Sequence, residues 1–85
     1  MLDPEMIRQR IEAALPGTTA QVSDTTGTGD HFEAQVVSPA FAGKSMLEQH
    51  KLVYGPLGDL LQSGELHALA LKTYSPEQWQ KLGAR

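Results

Sequence analysis

Eighty-five residues define one domain with a thin core, because a chain of this size hides only about 60% of its unfolded surface. A formal charge of −3 with scattered basic residues argues against autonomous nucleic-acid binding, and the absence of cysteine excludes disulfides, thiolate nucleophiles and self-contained zinc or iron–sulfur cages. No run of about 18 apolar residues could span a membrane, and the N-terminus lacks a basic-then-apolar signal pattern, so the expected compartment is the cytoplasm.

Asp3-Pro4-Glu5 reads as a helix start, with a carboxylate to accept orphan N–H groups and proline where a missing donor costs nothing. Ile7, Ile11, Ala14 and Leu15 then share a face at helical spacing until Pro16-Gly17 stops the run. Thr18 to Ser23 is β-compatible, Asp24 to Asp30 is a glycine- and threonine-rich turn, and Phe32 to Val37 resumes as a strand. Together they predict a hairpin with a flexible loop.

Ser45-Met46-Leu47-Glu48 fits the capping box, in which serine and the glutamate three residues on satisfy each other's backbone donors, and it predicts a helix to Tyr54. Gly55 is expected to end that helix in a left-handed conformation, and Pro56 to open another with Leu57, Leu60 and Leu61 as its apolar stripe. His67 to Thr73 alternates small and large apolar residues as a third strand. Ser75-Pro76-Glu77-Gln78 repeats the capping pattern before a last short helix carrying Trp79 and Leu82. The order α-β-β-α-α-β-α contains a strand–helix–helix–strand crossover, which permits parallel strands. The expected fold is an α+β sandwich: a three-stranded mixed sheet packed against helices, in one domain spanning residues 1–85.

With no cysteine, any metal chemistry must run through histidine, and there are three. His67 opens a strand, where it is either a ligand or a ring hydrogen-bonded to backbone. His31 borders the glycine-rich loop. His50 lies in the capped helix near an apolar seam between Leu47 and Tyr54, and its alternative use is on a partner or nucleic-acid surface beside Lys51. Gly43-Lys44-Ser45 resembles the end of a phosphate-binding loop, but the required earlier glycine is Ser38, which rejects nucleotide hydrolysis. Gly55-Pro56-Leu57-Gly58 matches the G-x-x-G with which KH domains clamp nucleotide backbones. Its central residues are neither basic nor amide-bearing, and helix termination explains Gly55-Pro56 without a ligand. Lys44, His50, Lys51, Gly55 and Gly58 are the candidates for a nucleic-acid surface. No serine–histidine–acid or paired-carboxylate arrangement is recognisable, so an enzyme is not expected.

Four blocks occur in order along nearly the whole chain: His31-Phe32; Val37-Ser38-Pro39 with Phe41 and Gly43-Lys44-Ser45; His50-Lys51 with Val53-Tyr54; and His67-Ala68-Leu69 with Leu71 through Trp79. In this combination the chain resembles the BolA family. The resemblance implies a fold similar to the type II KH domain, with the second and third helices arranged like a helix-turn-helix. It also implies a heterodimer with a monothiol glutaredoxin, bridged by a [2Fe–2S] cluster and serving iron–sulfur maturation or iron sensing. In such complexes the glutaredoxin cysteine and glutathione hold one iron and BolA side chains the other. The family's histidine before Ala-Leu matches His67, and the second ligand lies in or beside the loop between the first two strands. There the chain departs from cysteine-bearing members, since Thr28 takes the cysteine position; His31 becomes the candidate, with Asp30 as a neighbouring substitute.

Two imidazoles without a thiolate complete neither iron's shell, so no cluster is expected in the isolated protein. Nitrogen ligation of one iron would raise the cluster's potential in the Rieske manner. The resemblance equally admits a nucleic-acid-binding transcriptional regulator, and an apo-protein that self-associates or binds other proteins stays open beside it.

Overall fold

Asp3 caps the first helix by accepting the Glu5 N–H at 2.9 Å, and α1 then runs over Pro4–Ala14. In a computed structural model that describes residues 2–27, 29 and 31–83, β1 (Thr19–Asp24), β2 (His31–Val37), α2 (Met46–Tyr54), α3 (Gly58–Ser63), β3 (Ala68–Tyr74) and α4 (Pro76–Gly83) follow, with 3-10 turns at Pro39–Phe41 and Gly55–Leu57. The element order is the expected one. Thr28 and Asp30, the loop positions weighed as cysteine replacement and substitute ligand, lie outside the described residues.

The sheet order is β1-β2-β3. β1 and β2 pair antiparallel from Thr19↔Val37 to Asp24↔Phe32, and β2 and β3 pair parallel from His31↔Ala68 to Val37↔Tyr74. On β2 the buried residues alternate strictly: Phe32, Ala34 and Val36 point into the core, and His31, Glu33, Gln35 and Val37 are half-exposed on the other face. The core joins these to Ile7 and Ile11 of α1, Phe41, Val53 of α2, Leu57, Leu60 and Leu66. On the opposite face Trp79 of α4 packs on Tyr74, ring centres 5.4 Å apart, and borders a shallow groove with Thr19, Gln21, Gln35 and Val37.

Two local expectations are corrected. Ala14 is exposed rather than on the apolar face, because the helix ends there and the extended Leu15 turns into the core in its place. Gly55 is right-handed, with φ −52° and ψ −56°, and the chain continues through the 3-10 turn instead of reversing. A residue before proline resists the α conformation partly because its Cβ meets the proline ring, and glycine has no Cβ. The left-handed helix end is Gly64 after α3, at φ 82°.

Both serine caps form. Ser45 and Glu48 make the reciprocal capping box of α2, and Ser75 with Gln78 does the same for α4, the Ser75 N–H reaching Gln78 Oε1 at 2.8 Å. The polar joint that ties these pieces together is Gln49, a buried residue of α2. Its amide donates to the carbonyls of Phe41 and Lys44, both at 3.1 Å, and its Oε1 accepts the Thr73 hydroxyl at 2.7 Å. One side chain therefore binds the crossover loop, α2 and β3.

Glu12 plays the matching part between α1 and β1. Its Oε2 accepts the Ala20 N–H at 3.0 Å and its Oε1 accepts Arg8 Nη1 at 2.5 Å, while Arg8 also pairs with Glu5. The Ala20 N–H first, and Arg8 after it, hold the Glu12 carboxyl below the usual carboxylate range. The Arg8 guanidinium does likewise for Glu5.

Two outcomes follow for stability. Gln49→Leu, similar in volume, is expected to cost about 2–3 kcal/mol because the Lys44 carbonyl and the Thr73 hydroxyl lose the partner Gln49 gives them and the Phe41 carbonyl keeps only the Lys44 N–H, whereas Thr73→Val costs about 1 kcal/mol; urea midpoints measure both, and an unchanged Gln49→Leu midpoint would contradict the joint. A carboxylate whose folded pKa is depressed stabilises fully above its unfolded value, about 4.3 for glutamate, and loses that contribution as pH falls through the folded value. Glu12→Gln should therefore lower the midpoint at pH 7 and flatten its decline between about pH 5 and pH 3. Parallel curves for the two proteins would exclude the role given to Glu12.

Candidate metal centre

His31 is the first residue of β2 and His67 the residue before β3, so the parallel register that sets His31 opposite Ala68 also brings the two imidazoles side by side. Their ring centres are 5.2 Å apart with planes inclined by 31°. His67 is exposed and His31 half-buried. Both sequence candidates for metal ligation thus converge on one end of the sheet, although they are far apart in the chain.

The backbone holds each from behind. On the His67 side, α3 ends at left-handed Gly64, the single Ser63 hydroxyl proton is within reach of Leu60 O at 3.1 Å and of Glu65 Oε1 at 3.2 Å, and buried Leu66 donates its N–H to Leu60 O at 3.1 Å. Leu66 is thereby an anchor one residue before the ligand candidate. On the other side the carbonyl of His31 accepts both the N–H and the hydroxyl of Thr25, at 3.0 and 3.2 Å. The Asp24 carboxylate accepts N–H groups of the intervening loop. Sequence reasoning passed over Asp24, although an aspartate entering a glycine-rich turn is a known signal for side-chain bonding to the backbone two or three residues on.

The donor set suits a borderline transition metal, for which neutral imidazole is a common ligand. A metal bonded to an imidazole nitrogen at about 2.0–2.1 Å lies about 3 Å from the ring centre, so rings separated as here are within reach of one shared ion. Among the described residues no group of three or more histidine, aspartate or glutamate side chains gathers to form a metal site. The pair offers two donors, and further ligands have to come from elsewhere.

His50 is not part of this centre. It sits half-buried on α2 with its ring edge-on to Tyr54, centres 6.2 Å apart. Lys44 and Lys51 are exposed around α2, where they add to the pull of the Ser45 backbone and hydroxyl that holds Glu48 below the usual carboxylate range. The Gly55–Gly58 turn is also engaged. Arg10 donates to Asp59 Oδ1 at 2.7 Å and to Pro56 O at 3.5 Å, and added methyl groups at Gly55 or Gly58 would meet nothing within 4 Å. A carboxylate and a proline without N–H make this turn a poor cradle for phosphate.

Among the described residues no helix is long and apolar enough to cross a membrane. Residues 5–78 match the family model described as BolA-like protein. The chain is 33% identical over 89 residues to the DNA-binding transcriptional regulator BolA of Escherichia coli strain K12, covering 96% of this chain and 84% of that one. Among solved structures it is similar to a BolA homologue from Coxiella burnetii (41% identity, TM-score 0.79, 94% and 99% of the two chains). It is likewise similar to the BolA domain of SufE1 from Arabidopsis thaliana (36% identity, TM-score 0.75, 87% and 92%). Helices and a three-stranded mixed sheet in this order, with a family match over most of its length, establish that the chain belongs to the BolA-like protein family.

Proposed function

We propose that the protein is a non-enzymatic iron–sulfur accessory protein that partners a monothiol glutaredoxin and shares a [2Fe–2S] cluster with it. The observation that carries this reading is the approach of His31 and His67 to 5.2 Å between ring centres. The two imidazoles would hold one iron, and the glutaredoxin cysteine with glutathione the other, as the family resemblance implies. When bound, the cluster supplies electron-transfer and sulfide chemistry; this chain supplies nitrogen donors, their spacing and a surface for the partner. Exposed Ala68 and Ala70 beside the pair leave little side-chain bulk in the way of a partner that brings the remaining ligands. Such a complex serves cluster maturation, trafficking or iron sensing.

The name of the Escherichia coli relative raises DNA binding as a second reading. The net charge of −3 and the Arg10–Asp59 pair across the Gly55–Gly58 turn both weigh against phosphate contacts there.

Mixing the chain with cluster-loaded glutaredoxin should give a heterodimer whose visible absorption differs from that of the glutaredoxin homodimer. His67→Ala is expected to abolish that change, His31→Ala to leave a labile cluster of altered potential, and His50→Ala to affect stability more than spectra. Wild-type spectrum and cluster lifetime in His67→Ala would sink the assignment, as would a stable coloured species from this cysteine-free chain alone. For nucleic acid the expectation is non-specific affinity of about 10⁻⁴ to 10⁻⁶ M at physiological salt, falling with added salt. Nanomolar, sequence-selective binding at that salt would favour the second reading.

A further inference from the structure

Gly29, two residues before His31, is buried and held from both sides. Its N–H donates to Asp24 Oδ2 at 2.8 Å, and its carbonyl accepts the N–H of Leu2, itself buried, at 3.1 Å. The other carboxylate oxygen, Oδ1, accepts the N–H groups of Thr26 at 3.2 Å and Gly27 at 2.9 Å. Gly27 and Gly29 have φ of 76° and 78°, the left-handed region that lets the chain curl round a single acceptor. Asp24 is also the last residue of β1 in register with β2, opposite Phe32. Its side chain thus takes over where the ladder stops, and Thr25 closes the hairpin on the His31 carbonyl.

From this geometry we infer that Asp24 is a positioning residue for the two-imidazole centre: its carboxylate gathers the loop so that His31 enters β2 facing His67. The functional side of this assignment rests on the reading of the histidine pair as ligands. Pre-organisation is the physical effect at work. A ligand at the edge of a glycine-rich loop samples many orientations unless the groups behind it are fixed; loss of a partner bonded directly to a metal ligand commonly costs about 10–100-fold in affinity, and Asp24, one step further out, falls at the lower end of that range. A carboxylate is suited to the task because it accepts several N–H groups at once, and charge-assisted bonds are stronger than neutral ones.

The test uses the full-length chain with Asp24→Ala and Asp24→Asn. Asparagine keeps one carbonyl oxygen for Thr26 and Gly27 and loses the acceptor for Gly29, so positioning predicts an intermediate effect, whereas a pure charge effect would make the two variants alike. In the apo-protein, nuclear Overhauser contacts between the His31 and His67 ring protons should disappear in Asp24→Ala and weaken in Asp24→Asn. Exchange of the Gly27 and Gly29 amides in Asp24→Ala should accelerate on the order of tenfold or more. With the glutaredoxin partner, the cluster lifetime should shorten about tenfold in Asp24→Ala.

Retention of the inter-ring contacts and of slow Gly29 exchange in Asp24→Ala would overturn the assignment, even with His67→Ala behaving as proposed. Loss of those contacts in Asp24→Ala, combined with wild-type cluster spectra and lifetimes in both Asp24→Ala and His67→Ala, would instead overturn the ligand reading. In that case Asp24 would shape only the loop.

Discussion

The parallel pairing of β2 with β3 is the constraint on which the rest of the molecule depends. It puts His31 opposite Ala68, and therefore next to the ring of His67, and it places Phe32, Ala34 and Val36 in the core. A slip of one residue would exchange the two faces of a strand. Phe32, Ala34 and Val36 would then leave the core and Glu33 and Gln35 enter it, a cost that fixes the register wherever one face is buried. β3 itself alternates only between exposed and half-buried positions, so its alignment relies on other contacts. Those are the Ser38 N–H bond to Tyr74 O at 3.0 Å and the Thr73 hydroxyl bond to Gln49.

A domain of this length buries a smaller share of its surface than a larger one, and a small set of polar side chains closes the seams between its elements. Gln49 joins the crossover to β3, Glu12 joins α1 to β1, Arg10 and Asp59 join α1 to α3, and Asp24 closes the hairpin on itself. Among the described residues no buried side-chain nitrogen or oxygen lacks a partner, so these seams are complete rather than half-satisfied. The histidine pair sits where two such arrangements meet, the Asp24 loop on one side and the Leu66 anchor on the other.

Most of the element order was legible because its signals are local. Asp3-Pro4, Ser45 to Glu48 and Ser75 to Gln78 announce helices by the chemistry of their first turns, and the caps form as the residues imply. Gly55 misled because the same glycine can end a helix in the left-handed region or stand before a proline in the right-handed one, and only the path of the following turn decides. The individual histidines could be picked out, His67 and His31 through the family pattern and His50 as a structural residue. Their adjacency could not, since it arises from the non-local register of two strands. The Asp24 network was missed for a different reason: glycine content alone reads as flexibility, and Asp24, the first residue of the stretch read as a turn, counts there as part of it rather than as the acceptor that organises it.

The central claim is that imidazole nitrogens of His31 and His67 ligate one iron of a shared cluster. Pulsed electron paramagnetic resonance of the reduced complex tests it most directly, with ¹⁵N-histidine introduced into this chain only and the glutaredoxin left unlabelled. The account predicts strong couplings from two ¹⁵N nuclei, reduced to one in His31→Ala and in His67→Ala. A spectrum without strong ¹⁵N coupling, or one untouched by both substitutions, would contradict it.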